Sequence, residues 1–251
     1  MDKLNQSSAK SEFLQGDFGF CPALNDILVT GAVAGRTGRK FDEINALSTV
    51  NNLRVLRGLH LHLKAKRTLE IGLCFGGSCL LFAATHQEIS GKPMRQHTAL
   101  DPFQTTAWDD AGLLAVERAG LSGFLDFRPQ FSHLALPRLL ESGEQFDLIY
   151  VDGSHIFEDV FVDAYFGSRL LSENGVIAFD DCRDPHVQKV IKFVRANLQS
   201  SHKELDLSPY RPDQGKSLKY KLARFSGQVQ MTAFQRVGAI PRPWNASFSD
   251  F

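Results

Sequence analysis

Short apolar runs alternate with amphipathic segments between residues 67 and 198, and this alternation constrains the fold more than any other feature of the sequence. The apolar runs have the length of strands, and the segments between them repeat their apolar residues at helical spacing. Strands are predicted at "RTLEIG" (67–72), "HTALD" (97–101), "FLDFRP" (124–129), "FDLIYVD" (146–152) and "VIAFDD" (176–181), with helices from about 78 and at 109–119, 134–142, 157–171 and 187–198. Such alternation is typical of an α/β protein with a doubly wound, mostly parallel sheet covered on both faces.

The two ends of the chain differ from this pattern. Residues 1–35 show no clear period, so residues 1–45 are predicted to be an N-terminal arm or lid, partly disordered, ahead of one domain over 46–251. A helical extension is predicted from Phe41 to about Lys64, where apolar residues recur at three-residue steps. In the tail, "KELDLSP" and "QVQMTAFQRVG" resemble strands with no helix between them, and consecutive strands are expected to pair antiparallel.

Charge and cysteine content narrow the range of partners. Lys and Arg together number 28, as do Asp and Glu, and this balance gives no reason to expect nucleic acid or a membrane as a partner. Four cysteines without zinc-site or disulfide-framework spacing, together with a polar N-terminus, predict a cytoplasmic protein with reduced thiols. The apolar stripe of the helix at 157–171 is expected to pack in the core, with a homodimer interface as the alternative.

Most of the predicted strands end in acidic residues. The first strand ends in Glu70 and Gly72, the second in Asp101, the fourth in Asp152 and the fifth in Asp180 and Asp181. Ligands of an open α/β sheet bind outside the carboxyl ends of its strands, so these side chains are expected to share one rim.

The loop after the first strand, "GLCFGGS", has glycines where a backbone could pass close to a ligand. A dinucleotide loop needs a second glycine two residues after Gly72, but Cys74 stands there. Glu70 adds negative charge, which suits the cationic end of an amino acid better than a pyrophosphate. Asp101 at the next strand end is placed to accept hydrogen bonds from ribose hydroxyls. The combination predicts a nucleoside ligand without a diphosphate.

Four segments in this order, "LEIGLCFGGSCLLFA", "ALDPFQ", "FDLIYVDGSHIFEDV" and "NGVIAFDDC", resemble a class I S-adenosylmethionine-dependent methyltransferase. More narrowly, they are similar to the bacterial branch related to catechol-type and antibiotic-sugar O-methyltransferases. The resemblance covers about 53–198 and the terminal strand pair. It implies a Rossmann-like methyltransferase fold with a seven-stranded sheet and an antiparallel last strand at about Met231–Arg236.

The resemblance also implies a role for each site residue. Glu70, Gly72 and Gly76 would surround the methionine part of S-adenosylmethionine, with Ser78 capping the next helix and Asp101 holding the ribose. Ser132 and His133 would lie beside the adenine, and Asp152 would border the cofactor. In the metal-dependent branch, the residues that match Asp152, Asp180 and Asp181 bind a divalent cation. His155 stands at the position of the candidate base, where catechol enzymes usually carry lysine.

The residue types suit this chemistry. Methyl transfer from a sulfonium mainly requires alignment of the reactants and removal of a proton. A metal can activate the hydroxyl, and three neighbouring carboxylates suit Mg²⁺ or a similar hard cation. The alternative is that one aspartate caps a helix or binds a backbone amide while another faces water. Histidine titrates near neutral pH, which suits His155 or a purely structural histidine.

The sequence therefore predicts an S-adenosylmethionine-dependent methyltransferase that O-methylates a small-molecule hydroxyl with the assistance of a divalent metal. An NAD-dependent oxidoreductase is one alternative, opposed by the absent G-x-G-x-x-G motif. A non-catalytic nucleoside-binding module is another, opposed by the intact acidic rim.

Overall fold

The computed structural model describes residues 18–42, 44, 47–211, 218–225, 228–240 and 242–251. Its strands are β1 Val33–Ala34, β2 Lys40–Phe41, β3 Thr68–Ile71, β4 His97–Leu100, β5 Leu125–Arg128, β6 Phe146–Val151, β7 Leu171–Phe179, β8 His202–Glu204 and β9 Thr232–Arg236. Its helices are α1 Pro22–Thr30, α2 Val50–Leu63, α3 Gly77–Ser90, α4 Ala111–Arg118, α5 Ser132–Glu141, α6 Phe157–Leu170, α7 Pro185–Asn197 and α8 Leu218–Phe225. Short 3₁₀ turns cover Ser122–Phe124 and Ser208–Tyr210.

The main sheet contains seven strands in the order β5-β4-β3-β6-β7-β9-β8. The pairs from β5 to β7 are parallel, whereas β9 pairs antiparallel with both β7 and β8. This confirms the predicted mostly parallel, Rossmann-like sheet with its antiparallel last strand. The strand order reverses between β3 and β6, and that point is where α/β sheets of this kind bind ligands.

The two sides of the sheet form two apolar clusters. Leu148 and Tyr150 of β6 lie in the cluster under α2 and α3, while Ile149 and Val151 lie in the cluster under α5, α6 and α7. A strand buried on both faces has to be mainly apolar, and β6 is apolar except for Asp147, which is why it could be predicted from the sequence.

The described N-terminal residues are folded onto the domain. Phe18 and Leu24 are fully buried and join the same cluster as α3, and the Cys21 thiol lies 3.9 Å from the Leu80 carbonyl oxygen. Residues 1–17 lie outside the described part, and the division of the chain at residue 45 remains a prediction.

Three elements depart clearly from the predictions. The helical extension begins at Val50 rather than Phe41, because the extended Thr49 caps it by accepting from the Asn52 N–H, and Phe41 belongs to β2. Strand β7 begins at Leu171 rather than 176 and takes in the predicted Asn-Gly turn. A helix, α8, lies between the two tail strands, where none was predicted.

Candidate active site

A cavity of about 980 Å³ opens above the carboxyl ends of β3, β4, β6 and β7. The predicted site residues on its wall are Gly72, Asp101, Ser132, His133, Asp152, His155, Asp180 and Asp181. Glu70, Gly76 and Ser78 are not on this wall. The backbone hydrogen bonds between the parallel strands continue into the residues that follow them. The Asp152 N–H donates to the Ile71 carbonyl oxygen, and the Asp180 N–H donates to the Val151 carbonyl oxygen. The rim carboxylates are therefore held by the sheet itself.

The glycine loop has the backbone that its composition predicts. Gly72 has φ +94°, and a Cβ there would lie 2.3 Å from the Asp152 carbonyl oxygen, so only glycine fits. Cys74 also has a positive φ of 46° although it is not a glycine. Its side chain lines the cavity, and burial raises the pKa of its thiol to about 12. A side chain at this position leaves no room for a pyrophosphate against the backbone.

Asp101 links the loop to the next strand. Its Oδ2 accepts from the Cys74 N–H at 2.8 Å and from Gln104 Nε2 at 2.9 Å, and its Oδ1 accepts from the Phe103 N–H at 2.7 Å. The carboxylate is almost fully buried yet reaches the cavity wall. It is thus fixed beside the glycine loop, where the sequence predicted a ribose contact.

Glu70 points away from the cavity. The pleat of β3 turns its side chain toward α3, where it is 0% exposed, and its Oε1 lies 3.2 Å from His97 Nε2. The Cys79 thiol lies within 4.8 Å of this pair, and burial, followed by the charge of Glu70, raises the pKa of that thiol well above its usual value. Glu70 supports the base of the loop rather than its ligand-facing surface.

Gly76 and Ser78 also support the loop from behind. Gly76 is the N-cap of α3 with φ +78°, and a Cβ there would lie 2.9 Å from Gly112 Cα. The prediction that Ser78 caps this helix is wrong, because Ser78 is the second residue inside α3 and the N-cap makes no side-chain bond. The close approach of Gly112 leaves no room for a side chain at position 76.

Ser132 and His133 are the first two residues of α5, directly beyond the end of β5. Phe131, the N-cap, stacks on His133 at 5.4 Å and meets Phe103 edge-on at 5.6 Å. Half-exposed rings and a hydroxyl thus form this end of the cavity.

At the other end, Tyr150 joins two carboxyl groups. Its hydroxyl lies 2.9 Å from Asp152 Oδ2 and also bonds Asp180 Oδ2, and the Ser48 hydroxyl bonds both Tyr150 and Asp152. Burial, and then the charge of Asp180, raises the pKa of Asp152 well above its usual value, and burial raises the pKa of Asp180. A phenol has one hydrogen for two acceptors, so a carboxyl proton completes this group.

Further donors surround Asp180. Its Oδ1 accepts from Asn52 Nδ2 at 2.7 Å, and Gln230 Nε2 bonds both Asp180 and Asp181. The buried Arg211 lies behind this group, where its guanidinium donates to the Asn52 oxygen at 3.2 Å.

His155 pairs with Asp181. Its Nε2 lies 2.8 Å from Asp181 Oδ2, and the imidazole is 53% exposed at the cavity. An Nε2–H that donates to Asp181 leaves Nδ1 as a proton acceptor. The pair therefore has the arrangement of an oriented base.

The predicted metal ligands have suitable atoms in an unsuitable arrangement. Oxygen donors suit a hard cation, but Tyr150 and Gln230 already bridge the three carboxyl groups. Among the described residues, potential metal-ligand atoms lie within 4.8 Å of one another in a different group, which lies outside the cavity. That group is Glu70, Cys79 and His97. The three aspartates do not fit a divalent ion as they stand, and the metal remains a prediction.

Sequence reasoning missed the residues that hold the acidic rim, namely Ser48, Asn52, Tyr150, Arg211 and Gln230. Tyr150 could have been found, because it lies two residues before Asp152 on one strand and side chains at that spacing share a face. Ser48 lies just before α2, Asn52 lies in α2, and Arg211 and Gln230 lie in the tail, so no local pattern links them to the rim.

Comparison with known proteins decides the class of the domain. Residues 69–182 match the family model of the methyltransferase domain. Residues 69–182 therefore form a methyltransferase domain. The match runs from β3, through the glycine loop and Asp101, to the residue after Asp181. A search of curated proteins found no match to the sequence.

Solved structures show the same fold for the methyltransferase domain. An O-methyltransferase from Bacillus cereus, in complex with SAH, has a TM-score of 0.57 at 19% identity and covers 77% of this chain and 84% of its own. TomG from Streptomyces achromogenes, an O-methyltransferase in complex with SAM, has a TM-score of 0.58 at 18% identity, with 79% and 85% covered. A candidate O-methyltransferase from Klebsiella pneumoniae has a TM-score of 0.60 at 18% identity, with 94% and 99% covered. In the part of the chain that the structure describes, no helix is long and apolar enough to cross a membrane.

Proposed function

We propose that this methyltransferase transfers the methyl group of S-adenosylmethionine to a hydroxyl of a small molecule. The observation that carries the proposal is the cavity of the methyltransferase domain, which joins the glycine loop, Asp101 and the His155–Asp181 pair. Cys74 and the buried Asp101 disfavour a pyrophosphate and favour a nucleoside, and the complexes of the structural neighbours with SAH or SAM support this cofactor. The free thiols of the described cysteines support a cytoplasmic location.

The residues suggest a direct displacement. S-adenosylmethionine would supply an activated methyl group. The hydroxyl oxygen forms the new bond to the methyl carbon, the carbon–sulfur bond breaks with its electron pair going to sulfur, and the hydroxyl proton goes to His155 Nδ1. Asp181 holds the imidazole in the tautomer that this requires and stabilises the resulting imidazolium. The walls of the cavity bring the two reactants into line.

Cofactor choice can be tested by thermal shift. S-adenosylhomocysteine at 100 times its Kd is expected to stabilise the protein by about 2.7 kcal/mol, or roughly 5–11 °C, while NAD at the same concentration should give no shift. A shift with NAD alone would favour the oxidoreductase reading. Once binding is established, a panel of hydroxylated acceptors with labelled cofactor distinguishes transfer from simple nucleoside binding.

The predicted divalent metal can be tested by its removal. We expect dialysis against EDTA to leave kcat/KM within about twofold, because Tyr150 and Gln230 occupy the positions between the carboxyl groups. Two results together would instead establish the metal mechanism. Added Mg²⁺ would restore the activity lost on dialysis, and Asp180→Asn would abolish that activity without loss of S-adenosylhomocysteine binding. Calorimetric titration of the variant with S-adenosylhomocysteine is the control, because it measures whether cofactor binding is retained.

A further inference from the structure

Glu70, Cys79 and His97 form a buried group behind the glycine loop that the proposed reaction does not use. They come from β3, α3 and β4, and all three are 0% exposed. One potential ligand atom of each lies within 4.8 Å of those of the other two. Carboxylate, thiolate and imidazole are the three ligand types that bind zinc in proteins. Their spacing along the chain matches no zinc motif, because three separate elements supply them.

The polar atoms of this group lack the hydrogen bonds that buried atoms normally have. Both oxygens of Glu70 and the Nε2 of His97 are without a hydrogen-bond partner among the described residues. Glu70 Oε1 and His97 Nε2 lie 3.2 Å apart, but an N–H on Nε2 would not be aligned with this oxygen. Buried polar atoms without partners are rare in folded proteins. Their convergence here indicates that a further species belongs between them.

Thr68 determines which nitrogen of His97 faces Glu70. Burial lowers the pKa of His86 to about 2, so its imidazole is neutral and has one acceptor nitrogen. The Thr68 hydroxyl lies 2.9 Å from His86 Nε2 and 2.8 Å from His97 Nδ1. A hydroxyl that donates to His86 leaves its oxygen to accept the Nδ1–H of His97. Nε2 of His97 then presents a lone pair, and metal-binding histidines are commonly oriented by such a bond from the other nitrogen.

The geometry and charge of the group suit a zinc ion. Bonds of about 2.0–2.2 Å from zinc to nitrogen and oxygen place two tetrahedral ligand atoms roughly 3.3 Å apart. Glu70 Oε1 and His97 Nε2 have nearly this separation, at 3.2 Å. A carboxylate and a thiolate balance the two charges of Zn²⁺, so the buried group would be neutral overall. Zinc would replace the proton of the Cys79 thiol.

We propose that Glu70, Cys79 and His97 bind a structural Zn²⁺ ion beneath the glycine loop. Sulfur and nitrogen ligands favour zinc over magnesium or calcium, so this site differs in kind from the carboxylate rim. Three protein ligands leave the fourth position of the ion to a water molecule. Glu70 lies two residues before Gly72, and Cys79 is the third residue of α3. The ion therefore ties both ends of the loop to β4.

The burial of the ligands determines how the ion can be removed. All three side chains are 0% exposed, so a chelator reaches the ion only when the domain opens. Dialysis of the folded protein against EDTA is therefore expected to leave this site loaded. The same treatment would remove an ion from the rim, because the aspartates there line the open cavity.

The test measures the metal in untagged protein that is produced with zinc in the medium and dialysed against EDTA while folded. Wild-type protein is expected to retain about one zinc per chain. Cys79→Ala and Glu70→Gln should each leave less than about 0.2 zinc per chain, because each removes an anionic ligand. Cys182→Ala removes a buried thiol on the other side of the sheet and should keep the ion. Asp180→Asn, on the rim, should keep it as well.

Cobalt identifies the ligands. Protein produced with Co²⁺ in place of zinc should show a thiolate-to-cobalt charge-transfer band, which Cys79→Ala loses and Cys182→Ala keeps. Wild-type protein with less than about 0.2 metal ions per chain overturns the inference. A loaded cobalt protein without the band also overturns it, even if Cys79→Ala fails to fold. Full zinc in both Cys79→Ala and Glu70→Gln would place the ion elsewhere and overturn it too.

Discussion

Replacing His155 by alanine is expected to lower kcat by roughly 10²- to 10⁴-fold, the usual contribution of a positioned general base. Its Nε2 is engaged by Asp181 at 2.8 Å, so the ring is held with Nδ1 available for the hydroxyl proton. The imidazole is 53% exposed and carries no core packing, so the melting temperature and the affinity for S-adenosylhomocysteine should hardly change. Single-turnover rates with a saturating acceptor measure this effect.

Two further variants make the result specific. Asp181→Leu should lower kcat less than His155→Ala, because Asp181 acts by orienting the imidazole. His62→Ala changes an exposed histidine on α2 outside the cavity and should leave kcat as in wild type. If His155→Ala kept kcat within about threefold of wild type, another group would have to take the proton.

Replacing Gly72 by alanine is expected to abolish cofactor binding and to destabilise the fold by about 3 kcal/mol or more. The methyl group would meet the Asp152 carbonyl oxygen at 2.3 Å, and φ +94° is strained for any residue with a Cβ. For a chain of this length, that loss corresponds to a fall in melting temperature of roughly 6–12 °C. The strand ends of β3 and β6 would have to separate, which moves both Asp152 and the loop. S-adenosylhomocysteine affinity should fall by more than about 100-fold.

Gly31→Ala is the matched control, because Gly31 also has a positive φ, of 65°, but apart from its chain neighbours no atom of the described residues lies within 4 Å of its Cβ position. This variant should lose only about 1–2 kcal/mol from left-handed strain and bind S-adenosylhomocysteine as wild type does. Equal losses of affinity in the two variants would show that backbone strain, and not the contact with Asp152, accounts for the effect.

The parts of the fold that could be predicted are those set by local pattern. Strand β6 is apolar except for Asp147 because both of its faces are covered, and the strands from β3 to β7 could be predicted together with most of their helices. Helix α8 was not predicted, because it has only eight residues and its apolar Leu218 and Leu222 are exposed. The start of α2 could have been predicted from Thr49, a strong N-cap residue.

The candidate site likewise contains residues that could be predicted from the sequence and residues that could not. Carboxylates that follow parallel strands meet at one rim by topology, so Asp101, Asp152, Asp180 and Asp181 were placed there correctly from their order in the chain. Glu70 was given a ligand-facing role, but the pleat of β3 directs it into the core beside His97. Partners such as Gln230, separated from Asp181 by 49 residues, come from tertiary packing that no single sequence reveals.

The hydroxyl of Tyr150 between Asp152 and Asp180 also alters the electrical character of the cavity floor. Carboxyl groups whose pKa is raised by burial and by a neighbouring carboxylate retain protons at pH values where an exposed aspartate has lost its own. Arg211 adds a positive charge just behind them. The acidic residues counted in the sequence therefore overstate the negative potential that an incoming molecule meets. Neutral or even anionic acceptors can approach His155 without a large electrostatic barrier, so acceptor charge is a poor guide when substrates are chosen for screening.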